Sequence, residues 1–323
     1  MRTVGRLSQA SLVVAPEVAA ALEAGVGVVA LETTLVAHGF PAGEGLGVGV
    51  ASEARVRGAG AVPATVGVLD GAVRVGLDEA ELGRIAQAGP SARKVGPRDL
   101  AACVVQGAVG ATTVGGTLAA ARAAGLRVAA TGGLGGVHRG FPHPPDVSAD
   151  LAELARTPIV VVCAGVKSLL DVPATSEALE TLGVPVLGFG TDELPLFYAA
   201  RGGPPVSARV EGAAEAAEVA HAHWALGRPG AVVLARPPDE SLDDVEPLIA
   251  AALTEATERG VAGGAVTPFV LERLHRESGG RTLRANRDLV LGNAALAGEV
   301  ATALAEIEAG SAERALKGSD DGS

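Results

Sequence analysis

The sequence is poor in lysine. Of its 26 basic residues only Lys94, Lys167 and Lys317 are lysine, and the other 23 are arginine. Arginine stays charged at any relevant pH, whereas a desolvated lysine can lose its proton and become a nucleophilic amine. Lys317 lies in a polar C-terminal segment, which leaves two lysines in the body of the chain. A lysine retained in so arginine-rich a protein is a candidate for chemistry, and chance retention at the surface is the alternative.

Aromatic side chains and cysteines are also rare. Aromatic residues form 2% of the 323 residues although 48% are hydrophobic, so the core must consist of Val, Leu and Ala. Such a composition suits a buried parallel sheet covered by alanine-rich helices. Cys103 and Cys163 lack CxxC spacing, which favours a reduced interior over a disulfide framework. No apolar run approaches the ~20 residues of a membrane span and no secretory signal is recognisable, so we expect a cytoplasmic protein.

Charge and missing motifs exclude several functional classes. The net charge of −11 disfavours non-specific attraction to nucleic acid or anionic lipid. The glycine-rich loop at 132–136 lacks GxGxxG spacing, and Val166 stands where a Walker A motif needs glycine, so neither a dinucleotide nor ATP is indicated. The histidines show no HExxH spacing and no GxSxG elbow occurs, which excludes the usual zinc and serine-hydrolase sites. An anionic small substrate would need a local cluster of donors.

Short β-branched segments alternate with longer alanine-rich segments along the chain. We predict strands over 26–31, 64–69, 127–131, 159–163, 184–189 and 231–234. We predict helices over 45–58, 78–87, 98–106, 116–124, 168–182, 211–226, 242–259, 268–277 and 282–307. This alternation is typical of βαβ units and predicts an α/β fold with a layered, largely parallel or mixed sheet. No linker divides the chain, so we expect one domain over 1–307 and a disordered tail over 308–323.

Candidate site residues follow three of the predicted strands. Glu32 follows the first strand, the loop 131–140 follows the third, and Lys167 follows the fourth. Because ligands bind outside the carboxyl ends of strands in open α/β sheets, we expect these segments to form one site. Lys167 is suited to form a Schiff base with a sugar aldehyde. The alternative is a solvent-exposed residue at the start of the next helix, where a cation would oppose the helix dipole.

Glu32, Asp146 and a second glycine-containing loop carry weaker signals. A buried carboxylate at position 32 is suited to donate a proton. Asp146 offers the hard oxygen ligands of a hydrated Mg²⁺ or Mn²⁺, whereas Ser148 and Asp150 are accounted for as caps of the next helix. The loop at 110–117 leads directly into a helix, and it fits an anion site and an ordinary strand-to-helix turn equally well.

Taken together, these segments resemble the pseudouridine-5′-phosphate glycosidase family, also called pseudouridylate synthase. The resemblance covers 11–301 with its segments in the same order. It rests on ALETTLVAHGFP, ATVGVLDG, RKVGPRDL, GATTVGGTLAAA, ATGGLGGVHRGF, DVSADLAEL, the stretch from VVVCAGVKSLLDV to GTDELPLFY, and TPFVLERLHRESGGRTLRANRDLVLGNAALA. It implies a three-layer α/β/α protomer, a homotrimer, and reversible cleavage of the C–C glycosidic bond of pseudouridine 5′-phosphate to uracil and ribose 5-phosphate.

The resemblance also implies a role for each candidate residue. Lys167 corresponds to the covalent nucleophile, Glu32 to the catalytic acid or base, and Asp146 to the ligand of a Mn²⁺ ion, with Mg²⁺ as an alternative. The implied substrate ligands are Lys94, Val114, Ser148, Ala149, Asp150, Asn286 (with Asn293 as an alternative to Asn286) and, beside the uracil, His138.

Two segments depart from the family pattern, and other functions remain open. Gly96-Pro97 stands in place of a Ser-Arg pair, which puts the loop that carries Lys94 in doubt. Arg236-Pro237 replaces an Asn-Pro pair after a late strand. Another Schiff-base lyase or aldolase acting on sugar phosphates, or an N-ribosidase, would use the same lysine. A non-catalytic nucleotide-binding protein built on the same sheet is a third interpretation.

Overall fold

The computed structural model describes residues 11–142, 145–261 and 265–320, with side chains as far as Ser311. Within these residues one sheet of eleven strands runs through the protein. Its strands are β1 (Leu12–Val14), β2 (Val28–Leu31), β3 (Val62–Leu69), β4 (Ala72–Val75), β5 (Arg93–Val95), β6 (Gly110–Thr112), β7 (Val128–Ala130), β8 (Val160–Cys163), β9 (Val186–Phe189), β10 (Ala208–Val210) and β11 (Val232–Ala235).

Helices connect most of these strands. They are α1 (Pro16–Glu23), α2 (Thr34–His38), α3 (Gly45–Gly58), α4 (Glu79–Ala88), α5 (Leu100–Val105), α6 (Val114–Ala124), α7 (Ala149–Leu154), α8 (Val172–Thr181), α9 (Ala213–Ala225), α10 (Glu246–Glu258), α11 (Val266–Glu277) and α12 (Arg281–Asp320). All six predicted strands are confirmed. The five strands that were not predicted are three or four residues long; they are β1, β4, β5, β6 and β10. Two of them, β5 and β6, branch from the main order of the sheet.

The sheet is mostly parallel, as predicted. Its main order is β1-β4-β3-β2-β7-β8-β11-β9-β10. Among the described strands, antiparallel pairing occurs only between β3 and its neighbours β4 and β6. Since β7 pairs in parallel with both β2 and β8, the carboxyl ends of these three strands lie side by side. Glu32, the glycine-rich loop and Lys167 therefore leave the sheet at one edge, as expected.

The long strand β3 brings one more segment to this edge. Its first half pairs with β2, and its second half pairs with β6, which runs in the opposite direction. As a result the end of β6 meets the end of β2. The amide of Thr112 donates to Thr33 Oγ1 at 2.9 Å, and both threonine hydroxyls donate to the carbonyl of Val66. The start of α6 thus faces the same edge as Glu32.

Helices cover both faces of the sheet, which confirms the α/β/α layers. Alternate strand residues point to opposite faces. Val161 and Val233 belong to the core beneath α1, α6, α7, α8, α10 and α11, whereas Val160 and Val232 belong to the core beneath α3, α9 and α12. Both cores consist almost entirely of Val, Leu, Ile and Ala, as the shortage of aromatic residues predicted.

Two predicted boundaries are wrong. The helix placed over 168–182 begins only at Val172, where the Asp171 side chain accepts a hydrogen bond from the Ala174 amide and caps the helix. The helix predicted to end at 307 continues as α12 as far as Asp320, whereas the disordered tail expected over 308–323 stays a prediction. Residues 321–323 lie outside the described residues.

The long helix α12 is a core element. Length and composition alone would allow Arg281–Ser311 to cross a membrane, but half of its most apolar stretch is buried in the protein. The helix packs against the end of α3, where Gly298 is buried. A Cβ added to Gly298 would lie 2.7 Å from Ala59 Cβ and 3.0 Å from the Val56 carbonyl oxygen. A larger residue therefore cannot enter this helix contact without displacing α3 or α12.

Two glycine-to-alanine substitutions should change stability in opposite directions. Gly298→Ala should lower the free energy of unfolding by about 1–3 kcal/mol, because the added methyl group overpacks the α3–α12 contact. Gly47→Ala is the matched control, since Gly47 is exposed in α3 and a Cβ there meets nothing within 4 Å. It should raise the free energy by about 0.5–1 kcal/mol through helix propensity alone. Urea denaturation measures the free energy of unfolding of both variants. An equal change in the two variants would refute the close packing of α12 against α3 at Gly298.

Candidate active site

A cavity of about 500 Å³ lies at the edge where β2, β7 and β8 end. Every residue that the sequence analysis assigned to the site lines it, except for the alternative Asn293. These residues come from six separate segments of the chain. They are Glu32, Lys94, Val114, His138, Asp146, Ser148, Ala149, Asp150, Lys167 and Asn286.

The loop that carries Lys167 is aligned with the glycine-rich loop by pairing that continues beyond the strands. The Lys167 amide donates to the Leu134 carbonyl at 3.1 Å, and the Leu134 amide donates to the Gly165 carbonyl at 2.9 Å. Gly165 has φ = 83°, and a Cβ there would lie 1.9 Å from the Pro195 carbonyl oxygen, so this turn requires glycine. Lys167 is partly buried and precedes α8 by five residues, so the interpretation as the first residue of a helix is wrong.

Arg139 holds the continuation of the Lys167 loop. Its guanidinium donates to the carbonyls of Ser168 at 2.6 Å and Leu170 at 3.3 Å. The same group forms a two-pronged ion pair with Glu246 of α10, at 2.7 and 3.2 Å. The planar guanidinium therefore ties two carbonyls of this loop to a helix, a geometry that lysine does not reproduce. Sequence reasoning missed this role, because the partners are backbone carbonyls distant in the chain.

Glu32 is buried, with 7% of its surface exposed. Its carboxylate accepts a hydrogen bond from the Thr131 hydroxyl. Burial raises the pKa of the Glu32 carboxyl, and the positive charge of Lys167 and the bond from Thr131 oppose this shift without cancelling it. The site therefore favours a protonated carboxylic acid close to the Lys167 amine, which is the state needed to donate a proton.

Asn293 supports this arrangement from behind the cavity. It is fully buried in α12, and its Nδ2 donates to the carbonyls of Thr131 at 2.8 Å and Gly132 at 3.3 Å. Asn293 does not line the cavity among the described residues, whereas Asn286, two turns earlier in α12, does. Asn293 therefore fixes the loop that orients Glu32, and of the two asparagines Asn286 is the one positioned to touch a ligand.

Asp150 joins two loops at one end of the cavity. It is buried, and its two carboxylate oxygens accept from the amides of Gly115 at 2.8 Å and Gly135 at 3.0 Å. Ser148 caps α7 by accepting from the Asp150 amide, as the sequence predicted. Asp150 thus holds the start of α6 beside the glycine-rich loop. This end of the cavity, called the Lys94 end below, is lined by Lys94, the start of α6 and Ser148 to Asp150.

Burial and neighbouring charges affect the titratable groups at this end. Burial lowers the pKa of Lys94, as does the nearby charge of Lys167, while Asp150 and Glu32 act in the opposite direction. Burial also lowers the pKa of His138, whose Nδ1 lies 3.7 Å from Asp146 Oδ2.

In the loop after Lys94, Gly96-Pro97 begins a short 3₁₀ turn, in which the Gly96 amide donates to Asp99 Oδ2 at 3.1 Å. The unusual dipeptide therefore still forms an ordered loop at the cavity.

The opposite end of the cavity is apolar. It is lined by the glycine-rich loop at Gly132 and Gly133, by Val290 and Asn286 of α12, and by the ring of Phe197. Sequence reasoning did not single out Phe197, although an aromatic residue after a strand in a chain with so few aromatic residues was a usable signal. The glycine-rich loop thus runs from the apolar end at Gly132, past Lys167, to the Lys94 end at Gly135.

The fold and the cavity are shared with a defined family. The chain belongs to the family described as indigoidine synthase A like protein, whose model matches residues 17–303. Its curated relatives include two pseudouridine-5′-phosphate glycosidases. The protein from Streptomyces griseus is 52% identical over 90% of this chain and 91% of its own length, and the one from Chloroflexus aurantiacus is 47% identical over 91% and 99%.

Solved structures share the fold over nearly their whole length. The prealnumycin C-glycosynthase AlnA, crystallised in complex with ribulose 5-phosphate, superposes with a TM-score of 0.85 at 40% identity, covering 94% of this chain and 99% of that one. An indigoidine synthase A-like protein from Thermotoga maritima superposes with a TM-score of 0.82 at 36% identity, covering 92% and 98%. The resemblance found in the sequence is therefore confirmed, and so is the three-layer fold.

The pKa of Glu32 predicts a pH-dependent difference between wild type and Glu32→Gln. A group whose pKa is higher in the folded state contributes stability that is complete below its unfolded pKa and is lost as the pH rises through the folded value. Wild type should therefore lose stability relative to Glu32→Gln as the pH rises above 4.5, the ordinary value for this carboxyl. Denaturation of both proteins between about pH 5 and about pH 8 measures the difference.

A second substitution shows whether the pH dependence comes from the burial of Glu32 or from the loss of any carboxylate. Glu211 is exposed, and its hydrogen bond with Arg209 lowers its pKa. Glu211→Gln should therefore show no relative gain in stability with rising pH. A difference between wild type and Glu32→Gln that stays constant with pH would contradict the raised pKa.

Proposed function

We propose that this protein reversibly cleaves the C–C glycosidic bond of pseudouridine 5′-phosphate, giving uracil and ribose 5-phosphate. The observation that carries the proposal is the placement of Lys167 and the buried acid Glu32 between two chemically different ends of one cavity. One end is lined by Lys94 and the start of α6, which suit a phosphorylated sugar. The other end is apolar and carries one carboxamide, which suits a small planar base. The names of the curated relatives support the same substrate.

The proposed chemistry explains why a lysine is needed. Uracil is attached through C5, so it would leave as a carbanion unless that carbon is protonated. We propose that the ribose ring opens with O4′ leaving C1′ and gaining a proton, while Lys167 Nζ forms a bond to C1′. Protonation of C5 then allows the nitrogen lone pair to form a C1′=N iminium as the C1′–C5 bond breaks and its electron pair returns to the uracil ring. Water hydrolyses the iminium, which releases ribose 5-phosphate and restores the amine.

Glu32 is the proposed proton donor and acceptor. Its burial favours the protonated acid, so it can supply the proton to C5 or to O4′ and recover it when water attacks. The Thr131 hydroxyl and Asn293 restrict its loop, which keeps the carboxyl group in one orientation. Arginine at position 167 could not replace lysine, because the guanidinium does not lose its proton to act as a nucleophile.

The remaining cavity residues are proposed to bind the substrate. The Lys94 end, where the ribose phosphate would lie, contains Lys94, the start of α6 at Val114, and the segment Ser148-Ala149-Asp150. Asp150 acts there mainly by holding Gly115 and Gly135 in place, since both of its oxygens accept backbone hydrogen bonds. Asn286 is proposed to face the uracil, whose imide group needs both donors and acceptors. His138, which the resemblance places beside the uracil, lies next to Asp146, so we propose that it faces the sugar instead.

Asp146 fits a hydrated divalent cation. Its carboxylate lines the cavity and is 33% exposed. Within the described residues no three His, Cys, Asp or Glu side chains gather closely enough to enclose a metal. An ion here would therefore keep most of its waters, as Mg²⁺ and Mn²⁺ do beside one or two carboxylates. We propose that Asp146 holds Mn²⁺ or, alternatively, Mg²⁺, which would supply positive charge for substrate oxygens.

The oligomeric state and location are proposals of the same kind. The family resemblance supports a homotrimer, which sedimentation would test. A cytoplasmic location is supported by the two buried cysteines, which are free thiols.

An aldolase or N-ribosidase using the same lysine would be distinguished by the mass of the product formed from uracil and ribose 5-phosphate. A binding protein would show a ligand-induced shift in melting temperature without turnover.

The covalent role of Lys167 has a direct test. Borohydride reduction in the presence of ribose 5-phosphate should attach the sugar to Lys167, and Lys167→Ala should lose both the adduct and turnover while remaining folded. The chain has three lysines, so peptide mass spectrometry can assign the site without ambiguity. Lys317→Ala is the control and should keep normal activity. An adduct on Lys94, or near-normal turnover of Lys167→Ala, would refute the assignment.

The metal site is tested by binding rather than by activity alone. Asp146→Asn should weaken Mn²⁺ affinity at least about tenfold in a titration followed by electron paramagnetic resonance, because a neutral amide is a poor ligand for a hard cation. Asp192→Asn, at an exposed position paired with Arg209, is the matched control and should leave the affinity unchanged. Equal Mn²⁺ affinity in wild type and Asp146→Asn would exclude Asp146 as the ligand.

A further inference from the structure

Phe197 has a backbone conformation that is unusual for its residue type. It is one of two non-glycine residues with positive φ among the described residues, with φ = 66°. A bulky residue in the left-handed region is strained, and such strain persists only where the surrounding structure enforces it. In this chain it falls on one of only five phenylalanines, directly at the wall of the cavity.

The surrounding structure fixes the ring from several sides. The Phe197 amide donates to the Ala164 carbonyl at 3.1 Å, so its backbone is tied to the same loop that carries Lys167. Its ring meets the Tyr198 ring edge-to-face, with centroids 4.7 Å apart. A Cβ added to Gly133 would lie 2.5 Å from Phe197 Cδ2, and one added to Gly132 would lie 3.6 Å from Cε2. The ring is therefore packed against the glycine-rich loop with no space left between them.

The position of the ring relates it to one part of the substrate. Gly132 and Gly133 lie at the apolar end of the cavity, and a Cβ on Gly132 would also contact Val290 of α12 at 3.3 Å. Asn286 lines the cavity one turn earlier in the same helix. With the phosphate at the Lys94 end and C1′ at Lys167, the base would extend toward the apolar end formed by Phe197, Val290 and Asn286. Phe197 supplies the phenyl ring of the cavity wall among the described residues.

We propose that Phe197 is a specificity-determining residue, whose ring packs against the uracil ring and so selects a planar base as the leaving group. This inference rests on the proposed function and adds the residue that recognises the base. An aromatic ring provides a flat apolar surface for a base, while hydrogen bonds from Asn286 can fix its orientation. The constrained backbone keeps the ring at the wall when the cavity holds no base, so no side-chain freedom is lost on binding.

The synthetic direction separates the base from the sugar. With uracil and ribose 5-phosphate as substrates, Phe197→Leu and Phe197→Gly should raise the KM for uracil about tenfold or more, the range of base stacking on aromatic residues. The KM for ribose 5-phosphate and its borohydride trapping on Lys167 should change less than about twofold. Glycine adopts φ = 66° without strain, which offsets part of the packing lost when this side chain, only 4% exposed, is removed. Urea denaturation of both variants identifies the one that is folded under the assay conditions, and the KM values are compared for that variant.

A second phenylalanine serves as the matched control. Phe189 ends β9 and lines a different surface pocket, away from the cavity. Phe189→Leu should leave the KM for uracil unchanged. An unchanged KM for uracil in both Phe197 variants, or equal rises in the two KM values, would overturn the inference while leaving the proposed function intact. Wild-type protein that forms no product from uracil and ribose 5-phosphate would overturn the proposed function and this inference together.

Discussion

The candidate site depends on two backbone hydrogen bonds between loops. The Lys167 amide donates to Leu134, and the Leu134 amide donates to Gly165, so the loops after β7 and β8 continue the parallel pairing of their strands. This pairing aligns the lysine with the middle of the glycine-rich loop. Because that loop also touches Phe197 at one end and Asp150 at the other, the order that we propose for base, sugar carbon and phosphate follows the course of this loop.

The topology of the sheet makes this arrangement possible. Parallel pairing of β2, β7 and β8 brings an acid, a glycine-rich loop and a lysine to one edge. The reversed strand β6 adds the start of α6, which Asp150 then joins to the glycine-rich loop. Charge is concentrated at one end of the cavity and apolar surface at the other. A molecule with a phosphate, a pentose and a flat base fits that division, whereas a dinucleotide or a free base alone would leave part of the site unused.

Much of this could be predicted from the sequence, and the remainder follows a physical pattern. β-Branched runs such as 159–163 and alanine-rich helices such as Ala213–Ala225 were predicted because local periodicity indicates them. The strands β5 (Arg93–Val95) and β6 (Gly110–Thr112) contain no β-branched run, and their pairing with distant strands determines them. Glu32 and Lys167 were singled out because they follow predicted strands, whereas the contacts of Arg139, Asn293 and Phe197 are not encoded by any local pattern.

The most direct test of the account is a crystal structure of Lys167→Ala with pseudouridine 5′-phosphate bound. The account predicts that C1′ lies beside position 167, that the phosphate lies between Lys94 and the start of α6, and that the uracil ring packs on Phe197 with its imide edge toward Asn286. A substrate bound in the reverse direction, with its phosphate at Phe197, would contradict the ordering on which the proposed mechanism depends. So would a substrate bound outside the cavity.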